Sequence, residues 1–151
     1  MVEANRILYV RFICSMKKYG RMYPHAGYGG CFRVWLRSMD TEPYNSFGNG
    51  SAMRVSPCAW VMDCGFCART GMWPNYDLAR LSASVTHNHP EGIKGALAVC
   101  DAIFMARFYF GGCHIENEYG YDLSMSLYEI RRNYKLDATC QGSVPQALLR
   151  F

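Results

Sequence analysis

From Pro90 to Phe108 the chain carries Ile93, Ala96, Leu97, Cys100, Ile103 and Phe104 at three- and four-residue spacing, which predicts one long helix with a continuous apolar face. Pro90 suits the first helical position, where no N–H is needed, and Glu91 favours the positive helix end. Gly92 and Gly95 add no side-chain bulk, so another backbone can approach there. Strand-period alternation is scarce along the rest of the chain, and there is no internal repeat or low-complexity block. The expected fold is all-α, a many-helix domain.

Other helices are expected around this one. Ile7, Leu8, Phe12 and Met16 predict an amphipathic helix from about Glu3 to Tyr19, ended by Gly20. Tyr23 to Gly30 is too glycine-rich for a helix interior, and a short helix through Phe32, Trp35 and Leu36 follows it. After a loop from Asp40 to Gly50, Ser51 is placed to cap a helix carrying Met53, which Pro57 limits or kinks. Leu78, Leu81, Ser82 and Val85 give a helix that stops before His87. Weaker helices are expected at Leu123 to Arg131 and Val144 to Phe151, separated by the turn-rich stretch Asp137 to Ser143.

A chain of 151 residues suits a single domain over 1–151. Half its residues are apolar and fewer than a fifth are charged, which excludes a disordered chain. The net charge of +4 is carried by scattered residues (Lys17, Lys18, Arg21, Arg33, Arg37, Arg131, Arg132), not by the clustered stripe of a nucleic-acid surface. The N-terminus lacks the basic-then-apolar order of a signal peptide, and no apolar run reaches the roughly 18 residues of a membrane span. A cytoplasmic protein is expected, without membrane or nucleic-acid partners. Of the eight cysteines, Cys14, Cys58 and Cys100 sit within apolar segments, which favours reduced, buried thiols over a disulfide framework.

Two polar, glycine-punctuated loops run straight into helical patterns. In Gly48-Asn49-Gly50-Ser51 the glycines leave backbone N–H groups uncovered and the following helix adds partial positive charge, an arrangement that receives a diphosphate. Asn49 both donates and accepts, and Met53 and Arg54 follow within one turn. An ordinary Asn-Gly turn with an N-cap explains the same residues. His87 and His89 flank Asn88 just before the long helix, either facing a ligand or bonding to backbone.

Cys64-Gly65-Phe66-Cys67 is the only C-x-x-C, and pairing it with His87 and His89 does not give zinc-finger spacing. No βαβ pattern surrounds it to support a redox motif. The aspartates are isolated, with no Asp-Asp or Asp-x-Asp, so the sequence offers no evident dinuclear metal site. Catalytic residues and metal ligands are therefore assigned to none of its positions.

Four stretches in order, Lys18 to Pro24, Gly27 to Arg33, Tyr44 to Arg54 and His87 to Ala96, resemble the ADP-ribosylglycohydrolase family, and Cys140 to Leu148 resembles a bacterial branch of it. The resemblance implies an all-α orthogonal bundle that binds ADP-ribose with two magnesium ions and hydrolyses its bond to a modified side chain. By position it implies substrate-binding roles for Gly48, Asn49, Gly50, Ser51, Met53, His87, His89, Gln141, Gly142 and Ser143. The family's Thr-Asp-Asp and Gly-Gly-Asp-x-Asp-Thr elements, which hold the Mg2+ ions, are absent, so the chain reads as a central fragment truncated at both ends. Arg132 stands where similar proteins tend to have proline, and Cys31 where a small residue is common.

The leading expectation is an ADP-ribosylglycohydrolase-like hydrolase, Mg2+-dependent in the complete domain, with ADP-ribose or an ADP-ribosylated substrate as partner. The alternatives are a non-catalytic ADP-ribose or nucleotide-binding module and a drifted remnant. Exposed apolar faces and self-association are expected from the missing terminal helices.

Overall fold

A computed structural model describes residues 2–61, 76–108 and 113–149. The helices among them are α1 (Val2–Met22), α2 (Gly30–Arg37), α3 (Gly50–Arg54), α4 (Ser56–Trp60), α5 (Tyr76–Ser84), α6 (Pro90–Phe108), α7 (Cys113–Tyr119), α8 (Leu127–Asn133) and α9 (Cys140–Leu148). No strand joins them among the described residues; the one extended pairing is an isolated antiparallel bridge between Gly48 and Thr139. The fold is all-α.

α6 has the predicted bounds, and it is the axis of the domain, packing against α3, α4, α5, α7 and α9. Its apolar surface wraps further round than one stripe. Ala96, Leu97, Cys100 and Phe104 are buried as expected, and Ala98, Asp101 and Ala102 are buried as well. The alanines let neighbouring helices approach closely, and burying the Phe104 side chain contributes roughly 1.5–3 kcal/mol. Asp101 is tolerated in this setting because the Tyr119 hydroxyl donates to Oδ2 at 2.6 Å.

Three clusters form the core. Ala98 and Ala102 meet Ala52, Ile115, Tyr121, Cys140, Val144 and Leu148 on one side of α6. On another side, Ala96, Leu97 and Cys100 meet Val55, Cys58, Ala59, Ala79 and Ala83. The third cluster, Ile13, Trp35, Leu36 and Val85, holds α1 and α2 to the end of α5.

α1 runs beyond the expected Gly20 stop, to Met22. Gly20 is an internal contact point, since a Cβ there would lie 2.6 Å from a Leu36 methyl. The buried face of α1 also differs from the expected one: Ile13 is in the core with Tyr9, Phe12 and Met16 packed beside it, while Ile7 and Leu8 are exposed. Lys17 and Arg21 cross to the C-terminal end of α2, where Lys17 Nζ donates to the carbonyls of Trp35 (2.6 Å) and Ser38 (3.0 Å) and Arg21 donates to those of Leu36 and Ser38. Cations at a helix C-terminus satisfy carbonyls that the helix leaves open.

The Met53 helix is divided as Pro57 requires, into α3 and α4 at Val55. α8 begins later than Leu123, at Leu127, where Ser126 and Glu129 form a reciprocal capping box. α9 begins earlier than Val144, because the Thr139 hydroxyl accepts from Gly142 N and caps a helix within the expected turn. α7 was not expected. Cys58, Cys100 and Cys140 are buried and unpaired, whereas Cys14 and Cys31 are unpaired but exposed, against the expectation of burial for Cys14. Val34, Met39 and Leu136 are large apolar residues left in solvent.

Candidate functional site

Three segments far apart in sequence converge at the start of α6. The loop Asn45–Ser51 lies between the His87–Gly92 turn on one side and the first turn of α9 on the other. Backbone bonds stitch it to α9: Asn49 N donates to Ala138 O at 2.7 Å, and Cys140 N donates to Phe47 O at 2.9 Å. The Cys140 thiol adds a contact to Gly48 O at 3.2 Å. Toward α6, Asn45 N donates to Asn88 Oδ1 at 2.8 Å, and this holds Asn45 in the left-handed region with φ of 52°.

Within the loop, Asn49 is the N-cap of α3, although its side chain does not cap. The amide instead donates through Nδ2 to Ser143 Oγ at 3.0 Å, and Ser143 donates onward to Thr139 O at 2.5 Å. Ser51, expected to be the cap, is fully buried and donates to Gly92 O at 2.7 Å. Its hydroxyl ties α3 to α6. Met53 projects into solvent at 77% exposure.

His87 lies under the glycines of this loop. A Cβ on Gly50 would be 3.3 Å from His87 Nε2, and one on Gly48 would be 3.8 Å away. Burial and the nearby Arg54 charge push the imidazole down from 6.5 to about 4, so it is neutral near pH 7. His89 has a different task. Its Nδ1 accepts from Glu91 N at 3.2 Å, closing one of the open donors at the start of α6, while its ring meets Phe47 edge-on at 5.6 Å.

The outer nitrogens of Arg54 are engaged by the protein, while its Nε has no partner among the described residues. Nη2 donates to Ser82 O (2.8 Å), Ala83 O (3.3 Å) and Thr86 Oγ1 (2.8 Å), so the guanidinium straps α3 across the C-terminal end of α5. Burial lowers its pKa to about 10, and it remains cationic.

At α9, Gly142 N is used by the Thr139 cap, and a Cβ on Gly142 would fall 1.7 Å from Asp137 Oδ2, so glycine lets the Asp137 carboxylate lie against the helix start. Gln141 points elsewhere, into a cleft of about 460 Å³ shared with Glu91, Lys94, Tyr121 and Gln146. The structure thus brings Gly48, Asn49, Gly50, His87 and Ser143 into one assembly, and sets Ser51, Met53 and Gln141 with their side chains outside it. Thr86 and Asn88 are parts of the assembly that spacing alone did not single out. The described residues gather no group of three metal-ligating side chains. The Cys64–Cys67 motif lies outside the described residues.

Fold and site together define an all-α domain whose candidate binding face is built from three loops at helix starts. The ADP-ribosylglycohydrolase family profile matches residues 4–132, and the chain belongs to that family. Its members are hydrolases that act on ADP-ribosylated substrates and generally use a divalent metal. No curated protein and no solved structure matches the chain.

Proposed function

We propose that the Gly48–Ser51 loop, His87 and the first turn of α9 form the ADP-ribose-binding face of a glycohydrolase that removes ADP-ribose from modified side chains. The observation that carries this reading is the Asn49–Ser143 bond, because it joins two of the three segments assigned to the ligand and leaves His87 beneath the glycines between them. Glycine at 48 and 50 keeps bulk away from the imidazole, and Asn49 and Ser143 hold the loop in place. His89 and Phe47 support it from the α6 side.

A divalent metal would supply polarisation of the ribose and an activated water. The described residues do not fit a metal cage, since they gather no three ligating side chains. That observation favours a second reading, a module that binds ADP-ribose without turning it over. Isothermal titration with ADP-ribose, with and without Mg2+, tests both, together with an assay of ADP-ribose release from a modified protein. Saturable heat that Asn49→Ala weakens supports the binding face. Mg2+-dependent release supports the hydrolase, and heat without release supports the module. A folded sample giving no heat in either buffer rejects both.

A further inference from the structure

We infer that the cleft between the start of α6 and α9 is a second binding site, suited to a small neutral molecule that carries a primary carboxamide. It is walled by the first turn of α6, residues 120–122, α8 and α9, and its volume of about 460 Å³ suits a small organic ligand. Residues 48–51, His87 and Ser143 do not line it, so the site stands apart from the ADP-ribose reading.

Two side chains of the cleft keep polar atoms that no described residue satisfies. Tyr121 is only 7% exposed and its hydroxyl is unpartnered, and Glu91 Oε2 is likewise buried and unpartnered. Burial foremost, then Cys140 and Glu91, raises the Tyr121 pKa, so the phenol keeps its proton. Lys94 brings the two residues to one end of the cleft. Its Nζ lies 3.7 Å from Glu91 Oε1 and 4.4 Å from the centre of the Tyr121 ring.

A carboxylate oxygen only accepts, so whatever completes Glu91 must donate. A protonated phenol donates, so an acceptor completes Tyr121. A primary carboxamide supplies both, its NH2 toward Glu91 and its carbonyl toward Tyr121. Charge selects in the same direction, since Lys94 opposes a cationic ligand and Glu91 an anionic one. Gln141 and Gln146 add amides on the α9 side, while Ile130, Pro145 and Leu149 give an apolar wall for the body of the ligand. The two unpartnered atoms are shielded from solvent, and Lys94 is the group that yields. It is 31% exposed and tied to Glu91 by one long ion pair, so its flexible stem can swing outward and admit the amide.

Benzamide, benzoate and benzamidine share one shape and differ in charge, and 1H–15N spectra of the whole chain locate their binding residue by residue. Benzamide should shift the backbone amides of Glu91, Lys94, Tyr121 and Gln141 saturably, with a Kd of about 10 mM or tighter for a ligand of its size. The two charged isosteres should bind at least about tenfold more weakly. Tyr121→Phe should weaken benzamide about 2–10-fold, and Glu91→Ala at least as much. A wild type without saturable shifts overturns the proposal and leaves the two atoms to ordered water. Shifts confined to other parts of the chain, or equal binding of all three isosteres, overturn it too. So does undiminished binding in a folded Tyr121→Phe, whether or not Glu91→Ala folds. N-acetylglutamine methylamide, run beside benzamide, identifies the source of the group: tighter binding of benzamide assigns a free aryl carboxamide, and tighter binding of the glutamine compound assigns a peptide side chain.

Discussion

Asn49 Nδ2 donates to Ser143 Oγ across 3.0 Å, and the two residues lie 94 positions apart in the chain. One hydrogen bond therefore couples the loop before α3 to the first turn of α9. Asn49→Ala and Ser143→Ala should each lose about 0.5–1.5 kcal/mol of stability in urea denaturation. The double variant should lose less than the two together, because both remove one interaction. Additive losses would show that the side chains act separately.

Gly95 on α6 faces the start of α9 so closely that a Cβ would stand 2.5 Å from Cys140 Sγ and 2.9 Å from its Cβ. Gly95→Ala should cost about 1–3 kcal/mol by overpacking. Trimming the partner makes room. Cys140→Ala in the same chain should recover part of that loss in thermal melts, and a Gly95→Ala variant as stable as wild type would refute the close approach.

His87 titrates near 6.5 when unfolded and at about 4 in the folded protein. Between these values the unfolded chain binds the extra proton, so stability is complete above about pH 6.5 and falls as pH drops toward 4. The shift corresponds to about 3 kcal/mol. Urea midpoints measured across this window should decline in the wild type and flatten in His87→Gln; an equal decline in both would assign the effect to other groups.

Tyr121 is buried, and its hydroxyl has no hydrogen-bond partner among the described residues; burial, with lesser contributions from Cys140 and Glu91, drives the phenol pKa upward. Removing an unsatisfied polar atom relieves its desolvation cost. Tyr121→Phe should leave the melting temperature unchanged or raise it, by up to about 1 kcal/mol in stability. A clear loss would show that the hydroxyl has a partner in solution, such as an ordered water.

The sequence disclosed most where local rules act alone. Pro90, Glu91 and the apolar spacing that follows define α6 at both ends, and Pro57 divides α3 from α4 as its missing N–H dictates. It disclosed less where tertiary contact overrides propensity. Gly20 looks like a helix stop, yet Leu36 needs the space its missing side chain leaves. Ser51 looks like a cap, yet its hydroxyl is drawn to Gly92 O once α6 is in place. The Gly48–Ser51 loop and the histidines were visible as candidates, but their meeting with Ser143 was implied only by resemblance. Spacing cannot reveal that Arg54 would be consumed by the end of α5, because Ser82 and Ala83 contribute backbone carbonyls and no side-chain signal.

The bridge between Gly48 and Thr139 also bears on when the site comes into being. Contacts that close long loops form late, since their entropy must be overcome before any contact energy is returned. On a ribosome, α1 to α6 can pack around their own clusters while residues beyond 133 are still being added. The proposed binding face is then complete only once α9 docks, and a nascent chain lacking that helix would carry the loop and both histidines without the Gly48–Thr139 bridge.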